Sequence, residues 1–323
     1  MLLAIAAGVA QARDLSLLQK HEDNFVKYVK KYDVKLEGAS EYEERLSIYA
    51  ANSDLISIHN AGNHTYTLGE NQFTHLTFEE FSSMYLSKMP ERETRMVDTF
   101  ANVKAADSVD WSTTDAVTDV KDQGQCGSCW AFSTTGAMEA AYFKKNGKQL
   151  AFSEQQLVSC DTDYGDQGCN GGLMDQAFQY ISDNGLCTEN DYPYTSGGGS
   201  NGVCQASCSK VDGTKGLRFT DVENSEDALA KAVTQQPIAV AVDADFRWQM
   251  YSGGIMTHVS GTDLDHGVLA VGFGSDGGQD FWKIKNSWAK GWGEDGYIRI
   301  LRNVNQQNGP CGITSAASYP TLA

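Results

Sequence analysis

The sequence predicts an α+β chain: a mainly helical N-terminal segment, then a helical lobe, then a lobe of strands, with a cleft between the two lobes. Three observations predict it. Apolar residues recur at helical spacing in residues 14–60 and again in residues 128–185. From residue 238 onward, short apolar runs alternate with glycine-rich turns, which is the pattern of strands. All eight cysteines fall between Cys126 and Cys311, so the first hundred or so residues and the remainder have different covalent needs. The 323 residues, 41% hydrophobic and 21% charged, are enough to bury a sizeable core and resemble neither a disordered nor a membrane-spanning composition. A formal charge of −17 argues against phosphate-backbone binding as the main role, because counterion release needs a basic surface. The same charge suits an acidic compartment, where part of it would be neutralised.

Taken in order, residues 1–10 are the only strongly apolar run, far short of the roughly 20 residues a spanning helix needs. With Ala10-Gln11-Ala12 as a small-residue cleavage site, residues 1–12 read as a signal peptide; no positive charge precedes the run, which fits a signal truncated at its start, and an apolar tail is the alternative. A signal would admit disulfides. Asn63-His64-Thr65 is the one N-x-S/T triplet, a pattern common by chance. Residues 14–33 have helical spacing. Residues 40–60 read as a longer helix, with Glu41, Arg45, Ile48, Tyr49, Asn52, Ile56 and Asn60 on one stripe and Gly62 as its stop. Residues 88–104, with Pro90 and little periodicity, read as an exposed linker.

A helix opens at Ser128, an N-cap residue type, and runs to about Lys145 before Asn146-Gly147. Ser153-Glu154-Gln155-Gln156 has the capping-box pattern of a short helix. Leu173, Met174, Ala177, Phe178 and Ile181 form a further helical stripe ended by Asn184-Gly185; residues 196–202 are a Gly/Ser loop, and Ser225 caps a helix that stops before Pro237. Residues 238–242, 267–273, 281–285 and 297–302 read as strands.

The stretch Gln123-Gly124-Gln125-Cys126-Gly127-Ser128-Cys129-Trp130-Ala131-Phe132-Ser133 carries the chemistry. Cys129 stands in the first turn of a helix, where free N–H groups and the macrodipole favour a thiolate. A thiolate is a competent nucleophile once a proton acceptor is near. His266, in Asp265-His266-Gly267 at the start of an apolar strand, is the candidate acceptor. Asn286, in Lys285-Asn286-Ser287-Trp288, begins the turn after the next strand, and its amide oxygen is suited to accept an imidazole N–H.

Together these motifs resemble the papain family of cysteine proteases, within it the cathepsin L-like group, over nearly the whole chain beyond residue 14. The stripe Glu41 to Asn60 is similar to the helix signature of that family's inhibitory propeptides, with Tyr49 where Phe is usual. The resemblance implies the papain-like two-lobe fold, a helical lobe plus a β-barrel-like lobe with a cleft between. It divides the chain into a signal peptide (1–12), an inhibitory propeptide (13–104) and a peptidase domain (105–323). It implies a cysteine endopeptidase made as a zymogen. Cys129 and His266 would form a thiolate–imidazolium pair, Asn286 would orient the ring, and Trp288 would cover the His266–Asn286 contact. Gln123 and the Cys129 N–H would hold the oxyanion. Gly171 and Gly172 would offer backbone to substrate, and Leu173, Met174, Ala241, Leu264 and Ala316, with Asp265 and Trp288, would line the substrate cleft. A pocket so apolar, with Ala316 at its floor, predicts bulky hydrophobic side chains two residues before the cut. Only eight residues separate Cys160 from Cys169, which leaves no room for the occluding loop of cathepsin B-like enzymes.

The same resemblance suggests the disulfides Cys126–Cys169 and Cys160–Cys204, with Cys187 and Cys208 as an extra pair and an exchange of Cys204 and Cys208 left open. Cys311 matches a family half-cystine whose partner region holds Ser260 instead, so it is expected as a free, buried thiol. Gly69-x-Asn71-x-Phe73-x-His75 resembles a second propeptide motif with His75 in place of the usual Asp. One hypothesis is that charging His75 loosens the propeptide at milder acidity than a carboxylate would; a surface histidine without a role is the alternative. The expected partners are protein and peptide substrates, the chain's own propeptide and cystatin-like inhibitors, with no nucleic acid, no membrane span, no cofactor and no metal. A monomer in the secretory pathway, destined for lysosome, vacuole or the cell exterior, is expected.

Blander readings compete. Cys126-x-x-Cys129 alone would fit a redox pair or half a zinc site. Gly272-x-Gly274-x-x-Gly277 nominally matches a dinucleotide fingerprint, but a strand rather than a helix follows. His266, Trp288 and Trp292 taken singly would be core residues. The competing functions are a catalytically inactive homologue acting as a binding protein and a disulfide oxidoreductase.

Overall fold

A computed structural model describes residues 19–90, 97–98, 100, 102–205 and 207–323; the signal-peptide expectation for residues 1–12 lies outside them. Residues 19–31 are helical (α1). There follow α2 (Gly38–Asn60), β1 (Tyr66–Leu68), α3 (Phe78–Tyr85), β2 (Val97–Asp98), β3 (Val109–Asp110), α4 (Cys129–Asn146), α5 (Glu154–Cys160) and α6 (Met174–Asn184). Then come β4 (Arg218–Val222), α7 (Glu226–Gln235), β5 (Ile238–Val242), α8 (Phe246–Met250), β6 (Tyr251–Met256), β7 (His266–Asp276), β8 (Gln279–Lys285), β9 (Tyr297–Leu301) and β10 (Ser318–Thr321).

The described strands join in the order β1-β6-β9-β8-β7-β5-β10-β4-β2, with β3 on β7. Strands β5 and β7 form the wall between two cores, and their period-two alternation shows how. Ile238, Val240, Val242, Val268 and Ala270 point into a core with Trp248, Trp282, Trp288 and Trp292. Ala239, Ala241, Leu269 and Val271 point the other way, into a core with Trp130, Met138, Phe152, Leu157 and Phe178. Burial on both faces explains why residues 238–242 are a continuous apolar run. Helix α4 lies against this wall and is buried without a break from Cys129 to Ala141. A Cβ at Gly136 would sit 3.0 Å from the Leu269 side chain, so a glycine lets α4 approach β7 closely. Gly147 ends the helix at φ 64° and donates its N–H to Phe143 O.

The disulfides are Cys126–Cys169, Cys160–Cys204 and Cys187–Cys208, which settles the Cys204/Cys208 exchange. Cys129 and Cys311 are free and buried. Ser260 lies beside Cys311 within hydrogen-bond reach of its thiol.

Several local expectations need correction. Ser128 precedes α4 but makes no side-chain cap bond; its hydroxyl is taken by Tyr194, 2.8 Å away. Ser153 caps α5 through Gln156 N, but Gln156 does not close the box, because its amide bonds Gly185 O, Tyr180 Oη and Cys187 N. Residues 88–104 are not merely an exposed linker: Met89 and Phe100 are buried, and β2 pairs with β4 in parallel. Helix α3 was not read from the sequence although Thr77-x-x-Glu80 forms a complete capping box. Strand β1 has three residues and exists by adding to β6, a non-local pairing with no local signal.

Candidate active site

Cys129 is the first residue of α4 and is fully buried. His266 is the first residue of β7. A Cβ on the next residue, Gly267, would sit 3.0 Å from Trp130 Cα and 3.2 Å from the Cys129 carbonyl carbon. The missing side chain at Gly267 lets the head of β7 pass close to the tip of α4, where a Cβ would press on backbone atoms. The Gly267 N–H lies beside the Cys129 sulfur.

His266 Nε2 donates to Asn286 Oδ1 at 2.7 Å, which leaves the proton-accepting lone pair on Nδ1, a buried atom with no partner among the described residues. Trp288 stacks on the imidazole with centroids 4.5 Å apart and planes at 22°. Gln123 is held at every polar atom. Its N–H meets Ser287 O, its Oε1 accepts from Ser287 Oγ at 2.7 Å, and its Nε2 donates to Cys126 O and to Tyr85 O, both at 2.9 Å. Ser287 was missed in the sequence, although it adjoins Asn286.

Tyr85 belongs to the N-terminal segment, and residues 86–90, which follow it, cross the site. Ser87 N donates to Asp265 O at 2.8 Å, and Ser87 Oγ lies 3.9 Å from Cys129 Sγ. Met89 N donates to Leu264 O at 3.0 Å, and the Met89 side chain is buried in the cluster that holds Leu173, Met174, Ala241 and Ala316, with Leu264 at its edge. A Cβ at Gly171 would lie 3.1 Å from Ser87, and one at Gly172 would strike Asp166 and Trp130 at 2.5 and 2.7 Å. Asp265 gives the cleft its carbonyl. Its carboxylate turns away to accept Ala244 N at 2.8 Å and is pushed up to about 7 by burial and by Asp243 and Asp245.

This cover changes the protonation expected from sequence. Burial pushes the Cys129 thiol up to about 11, against the Gly267 N–H and the Ser87 hydroxyl that favour the anion. Burial pushes His266 down to about 4, against Asn286. Beneath this extended segment burial favours the neutral thiol and the neutral imidazole. The thiolate–imidazolium pair therefore becomes an expectation for the uncovered cleft, where hydration returns and the helix terminus favours the anion.

The N-terminal segment is anchored over the site by aromatic and backbone contacts. Phe73 and Phe81 meet Trp288 edge-on at 5.7 and 5.1 Å, Gln72 Nε2 donates to Trp288 O, and Asn71 Nδ2 donates to Gln249 O. The stripe on α2 braces this segment from behind. Arg45 binds both oxygens of Glu80 at 2.8 and 2.7 Å, and Tyr49 Oη donates to Glu70. Asn52 Nδ2 serves the carbonyls of Thr74 and Leu76, and Asn60 exchanges two bonds with Leu68. His75 is half-buried rather than a surface histidine: its Nδ1 lies 2.7 Å from Tyr28 Oη, and burial with Arg45 pushes it down to about 4. A histidine held neutral in the fold withdraws stability as pH falls below its ordinary value, because the released segment takes up the proton first, so the expected acid response of His75 stands as a proposal.

Behind the site lies a buried ion network that the sequence did not signal. Lys121 Nζ reaches Glu139 and Glu154 at 2.8 and 2.6 Å, and Lys285, next to Asn286, donates to Thr118. Among the described residues no group of three or more His, Cys, Asp or Glu side chains is placed to hold a metal ion, and no helix is long and apolar enough to cross a membrane. The Cys126–Cys169 bridge removes the redox-pair reading of Cys126 and Cys129.

Residues 105–321 match the family described as papain family cysteine protease, and residues 25–81 match the cathepsin propeptide inhibitor domain. The chain is 43% identical over 333 residues to the senescence-specific cysteine protease SAG39 of Oryza sativa subsp. japonica, covering 99% of this chain and 96% of that one. It is 43% identical over 324 residues to a cathepsin L-like proteinase of Fasciola hepatica, covering 96% of each. The solved structure of digestive procathepsin L 3 from Tenebrio molitor larval midgut superposes with a TM-score of 0.82 at 39% identity, covering 93% of this chain and 99% of that one.

Proposed function

This chain belongs to the papain family of cysteine proteases, and from that membership we propose which of its residues cleave the peptide bond, how they do so and what they select. It is a cysteine endopeptidase in its zymogen form, with an inhibitory propeptide ahead of the peptidase domain. The division is placed near residue 105, with residues 13–104 as propeptide and 105–323 as the enzyme. The observation that carries the assignment of roles is the His266–Asn286 bond of 2.7 Å under Trp288, at the strand head that abuts the Cys129 helix tip.

Once the propeptide leaves, water returns to the cleft and the thiol proton moves to His266. Cys129 Sγ attacks the substrate carbonyl carbon, and the carbonyl oxygen takes the electron pair as an oxyanion. Gln123 Nε2 and the Cys129 N–H, free of an intrahelical acceptor at the first turn, stabilise that charge. The C–N bond breaks as His266 returns its proton to the leaving amine, which leaves a thioester. His266 then takes a proton from water, the hydroxide displaces the sulfur, and the acid departs. Asn286 holds the ring so that Nδ1 faces this exchange.

The side chain two residues before the cut enters the pocket of Leu173, Met174, Ala241, Leu264 and Ala316, and the burial of Met89 there supports a preference for bulky apolar groups. The propeptide runs from Tyr85 at Gln123, past Ser87 at Cys129, to Met89 in the pocket. A substrate runs from pocket to nucleophile to the Gln123 side, the opposite direction. The propeptide thus fills the subsites while presenting no correctly oriented carbonyl, and Tyr85 O uses the Gln123 donor. The enzyme acts as a monomer on proteins and peptides in the secretory pathway, in lysosome, vacuole or outside the cell, and is open to cystatin-like inhibitors once the propeptide has gone.

Cys129→Ala in the full chain tests the assignment. Peptide hydrolysis and epoxide labelling should vanish while the fold persists; retained hydrolysis would remove it. A peptide library led by arginine two residues before the cut would overturn the pocket assignment alone.

A further inference from the structure

The loop that leads from Tyr194 into the Gly/Ser stretch reaches back to the turn that carries Gln123. Tyr194 Oη donates to the Gln123 carbonyl at 2.7 Å. Its single proton being committed there, it accepts from Ser128 Oγ at 2.8 Å. Ser128 is the residue before Cys129, so one phenol oxygen links the Gln123 turn to the tip of α4. The surrounding contacts are close. Gln125 N donates to Gly197 O at 2.8 Å, and a Cβ at Gly124, whose φ is +59°, would lie 2.4 Å from that same oxygen. The Tyr194 ring stands edge-on to Phe132 of α4 at 4.9 Å, and its N–H is held by Glu189 at 2.9 Å.

We infer that Tyr194 is a positioning residue for the oxyanion hole, tying the turn that carries the Gln123 amide to the helix that carries the Cys129 N–H. The inference rests on the reading that these two donors hold the oxyanion. Two donors from different segments stabilise one oxygen only if the distance between the segments is set in advance. Ser287 fixes the rotation of the Gln123 amide and ties it to the strand lobe. The Gln123 amide nitrogen spends one of its two N–H groups on Cys126 O, in the loop before α4, and the other, which meets Tyr85 O in the zymogen, is left for the oxyanion. The Gln123 carbonyl, through Tyr194 and Ser128, is a second tie, to the tip of α4, that leaves both donors free. Tyr194 itself touches no reacting atom.

The test uses the full chain, processed with pepsin so that variants need not process themselves. Tyr194→Phe keeps the contact with Phe132 and removes the hydroxyl. Loss of this hydrogen bond is expected to lower kcat by about three- to tenfold with KM unchanged. Binding of a peptide aldehyde, which forms a tetrahedral adduct at the thiol, should weaken by the same factor. Alkylation of Cys129 by iodoacetamide, which forms no oxyanion, should not change. In a Gln123→Ala background, Tyr194→Phe should have no further effect on kcat, and Ser128→Ala should reproduce the loss with no aromatic change. Equal losses in alkylation and kcat, additivity with Gln123→Ala, or an unchanged kcat would overturn the inference. An unchanged kcat in Gln123→Ala alone would instead remove the oxyanion reading, and the role of Tyr194 with it.

Discussion

The proton on Cys129 decides how this zymogen is silenced, and it is directly measurable. With the thiol pushed up to about 11, roughly one molecule in ten thousand carries the thiolate at pH 7. An unperturbed cysteine carries a few per cent. The unprocessed chain, treated with iodoacetamide and mapped by peptide mass, should therefore alkylate at Cys129 at least about a hundredfold more slowly than a free cysteine peptide. The rate should climb about tenfold per pH unit from neutral pH upward. Cys311, also buried and also pushed up, is the internal comparison. Once the propeptide is removed, Cys129 should react fast, and the slope through neutral pH should flatten, because the α4 terminus and a protonated His266 then hold the thiolate. Fast, pH-independent alkylation of Cys129 in the unprocessed chain would refute the reasoning, since the anion would already exist under the cover. Covered, the pair holds one proton on sulfur; uncovered, it holds one on imidazole. The count is unchanged, so this pair gives activation no pH dependence of its own.

The pH dependence falls instead to His75, whose depressed value withdraws stability as pH drops below the ordinary imidazole range, and to carboxylates such as Glu80, which Arg45 holds below the usual range. A depressed carboxylate stabilises the folded propeptide above its ordinary pKa and loses that contribution as pH falls through the lowered value. Arg45→Ala should therefore destabilise the zymogen by about 1.5–3 kcal/mol and move autoactivation to higher pH, read by thermal denaturation and by processing across a pH series. Gln123→Ala should cost roughly 2.7–4 kcal/mol of transition-state stabilisation, measured as kcat/KM on a peptide substrate. Glu139→Ala leaves Lys121 and Lys285 without their shared buried carboxylate and should cost about 3–5 kcal/mol in denaturant unfolding of the chain.

What the sequence determined here is chemistry tied to residue type and local spacing. Cys129 at a helix start, His266 at a strand head and Asn286 after the next strand are readable because each depends on a few neighbouring residues. The α2 stripe is readable because a helix puts residues three and four apart on one face, although which carbonyls Asn52 and Asn60 serve is not. The strands β5 and β7 announce themselves by apolar runs, since two cores need side chains on both faces. Tertiary structure alone determined that Ser87 and Met89 fill the cleft, that β1 exists as an added strand, that His75 is half-buried and that Tyr194 joins two segments. It also determined that burial opposes charge on both Cys129 and His266 in the zymogen. The physical reason is the same in each case: desolvation and long-range hydrogen bonds depend on which distant piece of chain covers a group, and no local pattern encodes the cover.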